Sequence, residues 1–235
     1  MTPRILAVGV VVPAHDEEEL LPRALDGLAA AARAARSRGL VVDVLVVADD
    51  CHDATAEVAR GLGVEVLAVR ERSVGRARAA GLAVLTARRG HLPAERLWLA
   101  STDADSRVPA HWITHQVDLA DAGADLVLGT VDVDDWAGHP EHVASTWRAG
   151  YDHRDGHRHV HGANVGARAD AYLAVGGFDG LDSGEDVALA TALRHRRVVR
   201  SGALPVLTSA RVRTRAPGGF GDHLAALAQQ ERPAV

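Results

Sequence analysis

Leu97-Trp98-Leu99-Ala100-Ser101-Thr102-Asp103-Ala104-Asp105 decides how this chain is read. Its first four residues are a short, continuous apolar run, the pattern of a strand buried on both faces of a parallel sheet. The run ends directly in polar residues with two carboxylates two positions apart. The same pattern recurs upstream. Val8–Val12 is apolar and stops at Pro13, Val41–Val47 leads to Asp49 and Asp50, and Val64–Val69 leads to Ser73. Between these runs lie helical stretches: Leu20–Arg38 ending at Gly39, Asp53–Leu62 ending at Gly63, and Gly75–Arg89. Alternating strand and helix predicts an α/β fold with a mostly parallel central sheet and helices on both faces.

The downstream half is less regular. Pro109–Ala122, Glu141–Tyr151, Ala169–Val175, Glu185–Arg196 and Phe220–Gln229 read as helices, and Asp125–Val131 as a strand. No linker or internal repeat interrupts the chain. The expectation is one domain over residues 1–235, with a regular strand-helix half to about residue 106 and a less regular half beyond it.

Composition narrows the function. Of 235 residues 47% are hydrophobic, enough for a substantial core. All 26 basic residues are Arg, so no chemistry that needs a lysine amine is open to this chain. The formal net charge of −5, with no basic stripe interleaved with aromatics, speaks against a nucleic-acid partner. A single cysteine, Cys51, excludes an intrachain disulfide and suits a cytoplasmic location. Met1–Val12 reaches Pro13 and an acidic run too early for a signal peptide, and no run approaches the roughly 20 apolar residues of a membrane span.

In an open parallel sheet, ligands bind beyond the carboxyl ends of the strands, and each such end carries polar residues here. Asp103 and Asp105 together can hold a divalent cation and a ribose hydroxyl, since Mg²⁺ and Mn²⁺ favour carboxylate, phosphate and water oxygens. A turn or helix cap is the alternative reading. Asp16–Glu19 resembles a capping box as much as a nucleoside contact. Asp49 can accept from a base N–H, while Asp53 and Thr55 can cap a helix. Gly75 and Arg78 open a helix whose N-terminus suits phosphate, or form a solvated basic face. Glu185 and Asp186 serve the helix dipole or, facing the same site, a general base. His157, His159 and His161 alternate and would share one face of a strand; a zinc site and a solvated loop are both open.

Six stretches taken together resemble the family 2 glycosyltransferases of GT-A fold: VVVPAHDEEELLPRAL (10–25), VADDCHDAT (47–55), SVGRARAAGL (73–82), STDADSRVP (101–109), GANVGARADAYLAVGGFD (162–179) and SGEDVALATAL (183–193). The resemblance implies a metal-dependent transfer, inverting by direct displacement, from a nucleotide-sugar, with UDP as the nucleotide and Mg²⁺ or Mn²⁺ as the cation. It places Pro13, Ala14 and Glu17 at the nucleoside, Asp49 at the uracil N–H, and Arg78 near the base or diphosphate. Asp103 becomes the ribose-side acid and Asp105 the metal-binding acid. Gly162, Ala163 and Asn164 become the wall near sugar and acceptor, and Asp186 the base with Glu185 beside it. One departure is Ala48, where the family carries a second Asp. A sugar-1-phosphate nucleotidyltransferase shares the strand-helix plan, but those enzymes rely on lysine and an early G-x-G-T-R. A non-catalytic nucleotide- or glycan-binding module would have no use for Asp186.

Overall fold

Eight consecutive buried residues, Ala7–Ala14, form β1, an inner strand of the sheet. The computed structural model describes residues 2–133, 135–181, 183–211 and 220–229. β1 is followed by α1 (Leu21–Ser37), β2 (Val41–Asp49), α2 (Thr55–Gly61), β3 (Glu65–Val69), α3 (Val74–Arg88) and β4 (Leu97–Ser101). Then come α4 (Trp112–Asp121), β5 (Leu126–Val133), α5 (Glu141–Gly150), β6 (Val165–Arg168), α6 (Ala169–Ala174), α7 (Glu185–Ala192), β7 (Val198–Thr208) and α8 (Phe220–Ala228).

Seven strands make one sheet in the order β3-β2-β1-β4-β6-β5-β7. β1 pairs in parallel with β2 and β4, β2 with β3, and β5 with β7. β6 runs antiparallel to both its neighbours. The expected mostly parallel sheet is therefore present, with one reversed strand that the periodicity did not announce.

Both faces are covered, because side chains alternate along a strand. Val8, Val10 and Val12 point into a core with Leu21, Leu25 and Leu28 of α1 and Trp112, Ile113 and Val117 of α4. Ala7 and Val11 point the opposite way, to Leu82 and Leu85 of α3, Tyr172 of α6 and Leu189 of α7. Buried on both sides, β1 has no use for polar residues and reads as an unbroken apolar run.

The acids at 16–19 do not cap α1, which starts without a side-chain cap bond. They stitch two loops together instead. Asp16 accepts from the His52 amide at 2.6 Å, and Glu18 from the Ala54 amide at 2.9 Å. Thr55 Oγ1 accepts from the Glu17 amide at 2.7 Å, and Asp53 holds the Thr55 amide at 2.9 Å. The ends of β1 and β2 are thus one rigid platform. No described helix is long and apolar enough to cross a membrane.

Candidate active site

The chain leaves β1 to build β2 and β3 on one side, then returns to place β4 on the other. This reversal opens a crevice beyond the carboxyl ends of β1 and β4, the place where open α/β sheets bind ligands. A cavity of about 1130 Å³ lies there, lined among others by Pro13, Ala14, Glu17, Asp49, Arg78, Asp103, Asp105, Gly162, Ala163, Glu185 and Asp186. Ten residues named from the sequence, Glu185 included, meet around this one space with the buried Arg78; Asn164 does not.

Asp105 sits at the floor of the crevice. Burial pushes its carboxyl up to about 6, and the neighbouring charge of Asp103 adds to the rise. The segment is fixed from two directions. Thr102 donates its amide to Val11 at 3.2 Å, and Arg107 exchanges backbone bonds with Leu207 at 2.7 and 3.0 Å. Ser106 Oγ donates to Thr208 Oγ1 at 2.9 Å. The acidic turn is therefore clamped between β1 and β7.

That clamp carries the chain past β7 back over the acids. Arg211 Nη1 donates to Glu17 Oε2 at 2.9 Å, and its Nη2 to Glu17 Oε1 at 2.5 Å and to Asp105 Oδ2 at 2.8 Å. Arg211 escaped the sequence reading, because its partners are 194 and 106 positions away. The Arg211 guanidinium thus balances the charge of Asp105 and Glu17 at this corner of the cavity. The all-oxygen donors Asp105 and Asp103 fit a hard divalent ion. Each of the two holds an arginine here, Asp103 Oδ1 accepting from Arg78 at 2.5 Å and Asp105 Oδ2 from Arg211.

Arg78 is not a solvated cation. Its side chain is only 3% exposed and is forked between Asp103 and Glu185, with Nε donating to Ser101 Oγ at 3.1 Å. Burial works against its charge, but Asp103 and Glu185 outweigh the burial and raise its pKa. Glu185 is correspondingly enclosed, and burial pushes its carboxyl up while Arg78 opposes the rise. This buried fork ties α3, the acidic turn and α7 to one another.

Asp186 is disposed differently. Its Oδ2 accepts from the Gly162 amide at 2.8 Å and its Oδ1 from the Val187 amide at 2.7 Å, while the carboxylate lines the cavity. Of the two acids at the start of α7, Glu185 is committed to a buried ion pair and Asp186 faces the open space. Asp49 lines the cavity as well, but its carboxylate gathers the amides of Glu71, Arg72 and Ser73 at 2.7, 3.0 and 3.1 Å. It thereby shapes the loop that enters α3. Asp50, at a left-handed φ of 49°, pairs with Arg72 at 2.5 Å. Asn164 is buried, with its amide donating to Thr130 and Leu204 at 2.8 and 3.1 Å and its oxygen accepting from Trp112 at 2.7 Å. It braces β5 against α4 beneath the cavity.

Aromatic rings close the far end. Trp147 stacks on Tyr151 at 4.6 Å, and Tyr151 on His159 at 4.0 Å. His157, His159 and His161 follow one another at 5.6 and 5.8 Å, so they form a ladder although the segment is not a strand. The Tyr151 hydroxyl accepts from the Val131 amide at 3.0 Å and bonds His161 Nε2 at 2.7 Å. Burial lowers the pKa of His157 and His159. Among the described residues the acidic and thiol groups that approach as metal ligands do, within 4.8 Å of one another, are Asp16, Cys51 and Asp53 rather than these histidines. Asp16 and Asp53 are occupied with loop amides.

Three solved structures share this architecture. Residues 1–349 of TarS from S. aureus, also solved with UDP, align over 87% of this chain and 61% of that one, with a TM-score of 0.61 at 15% identity. The mannosyltransferase PcManGT from Pyrobaculum calidifontis, solved with GDP-Man and Mn²⁺, aligns over 91% and 59%, with a TM-score of 0.61 at 18% identity. Glucosyl-3-phosphoglycerate synthase from Mycobacterium tuberculosis, solved with Mn²⁺, UDP and phosphoglyceric acid, aligns over 96% and 75%, with a TM-score of 0.59 at 15% identity. The chain spans about three fifths of the length of the first two. No curated protein sequence matches it. These likenesses establish a GT-A fold. The sequence profile of glycosyl transferase family 2 matches residues 9–169, well over half of the chain, and the chain belongs to that family.

Proposed function

We propose that the protein transfers a glycosyl group from a nucleoside-diphosphate sugar to an acceptor hydroxyl, with Asp186 as general base and a divalent cation held by Asp105. The observation that carries this reading is a single cavity lined by both Asp105 and Asp186, the latter held by the backbone amides of Gly162 and Val187. A bound cation supplies charge stabilisation for the departing diphosphate. The chain's own residues do the rest. Pro13, Ala14 and Glu17 line the nucleoside end and Asp103 the ribose, while Gly162 and Ala163 wall the sugar. The Gly162 amide holds Asp186 in orientation, and Asp186 takes the acceptor proton as its oxygen attacks the anomeric carbon. A base on that face implies inversion. The UDP preference rests on Asp49 at the base end, and the GDP-Man complex of PcManGT makes GDP the rival donor nucleotide. The aromatic wall of Trp147, Tyr151 and His159 is the acceptor side. The lone Cys51 suits a reducing, cytoplasmic setting. The test is incubation with UDP- and GDP-sugars with and without Mn²⁺, following release of the free nucleotide. Metal-dependent release supports the reading, and no release from any donor refutes it.

A further inference from the structure

Arg211 lies three residues past the end of β7 and lines the cavity beside Asp105. The three described hydrogen bonds of its side chain are unequal in what they fix. Two form a fork onto Glu17, and one reaches Asp105 Oδ2 at 2.8 Å. A bidentate carboxylate–guanidinium fork is the stronger and more directional half of this arrangement. Glu17 is itself buried and anchored through its amide to Thr55, so the fork rests on a rigid base.

A divalent cation and a guanidinium cannot both stand against the same oxygen of Asp105, because two positive groups would then be in contact. A cation that takes Oδ2 of Asp105 therefore breaks the third bond and leaves the other two. The released N–H stays in the cavity, still held by Glu17, next to a site whose incoming ligand is an anion. We propose that Arg211 is a diphosphate-binding residue kept in reserve: Asp105 gives it up to the metal, Glu17 retains it, and its freed N–H takes a diphosphate oxygen. This rests on the nucleoside-diphosphate donor proposed above. It makes Glu17 a positioning residue for Arg211, and it couples metal and nucleotide binding through one side chain.

Two titrations by calorimetry test it on the full chain: Mn²⁺ alone, and the better bound of UDP and GDP at saturating Mn²⁺. Arg211→Gln removes the competing charge, so Mn²⁺ alone is expected to bind at least threefold tighter. The same variant is expected to bind the nucleotide at least tenfold more weakly in Mn²⁺. Arg211→Lys keeps the charge without the fork and should fall between wild type and Arg211→Gln in both. If Arg211 only clips the end of β7 to β1, melting temperature drops while both affinities stay as in wild type, and the proposal is overturned. Unchanged or weaker Mn²⁺ binding in Arg211→Gln also overturns it. Should Arg211→Gln fail to fold, Arg211→Lys decides by the same two affinities. Wild-type protein that binds neither ligand would sink the donor reading and this inference with it. Wild-type protein that binds both, with variants that do not separate, sinks this inference alone.

Discussion

Asp105 pays for its position. A carboxyl raised to about 6 is one whose charged form the fold disfavours. Relative to an unfolded value near 3.9, this group destabilises the ligand-free protein above pH 6 and ceases to do so as pH falls through 6 toward 4. Asp105→Asn is therefore expected to raise stability at pH 7, by about 1–3 kcal/mol in urea unfolding, while abolishing metal-dependent nucleotide binding. A loss of stability would show instead that the Arg211 contact outweighs burial. The same proton must leave before a cation can bind, so metal-dependent nucleotide affinity should fall about tenfold per pH unit below 6. A flat profile between pH 5 and 7 would contradict this. The neighbouring acids of α7 separate just as cleanly. Asp186→Asn loses the proton acceptor and one of the two amide contacts, because its NH2 cannot accept from an N–H, so turnover should fall by about two orders of magnitude or more while melting temperature drops only slightly. Glu185→Gln weakens a buried pair with Arg78 and should lower stability, by up to about 3–5 kcal/mol. If Glu185→Gln is the variant that stays folded but inactive, the two roles are exchanged.

At the scale of elements, α3 has to approach Asp179 and Glu185 closely for the Arg78 fork to form. Gly75 permits it: a Cβ there would collide with the Asp179 carbonyl and touch the Glu185 side chain. Gly75→Ala should displace the start of α3 and cost about 1–3 kcal/mol, with weaker nucleotide binding, read by denaturant midpoint and titration. Unchanged values would mean that the loop gives way freely. The helices and the first five strands were legible because each follows one period and ends at a Gly, a Pro or a polar cluster. β6 was not, being four residues long, too short for any period to show. β7 was not, because Gly202 and Pro205 interrupt it and its pairing with β5 shifts register between Gly129 and Val131. The site was legible to the same degree. Asp103, Asp105 and Asp186 stand at element ends where local pattern points to them. Arg211, and the partners of Arg78, depend on contacts across 23 to 194 positions that no local spacing records.

The whole molecule bears on one question, whether the two halves of the chain bind the donor together. β1, β2 and β4 supply Glu17, Asp49 and Asp105, while Gly162, Asp186 and Phe220 come from the second half, and all line one cavity. The halves are joined by the antiparallel β4–β6 pair and by the Ser106–Thr208 hydrogen bond. A ligand filling that cavity touches both, so binding should stabilise the sheet as a unit. At a concentration 100 times its dissociation constant, nucleotide with Mn²⁺ should add about 2.7 kcal/mol. For a chain of this size that corresponds to roughly 5–10 °C in melting temperature, and Asp105→Ala should show none of it. Hydrogen exchange locates the effect. Protection is expected at residues 13–17 and 102–105, and also at 160–163 and 184–187. Protection confined to the first two segments would mean that the second half takes no part in holding the donor, and Asp186 would then lose its place beside the anomeric carbon.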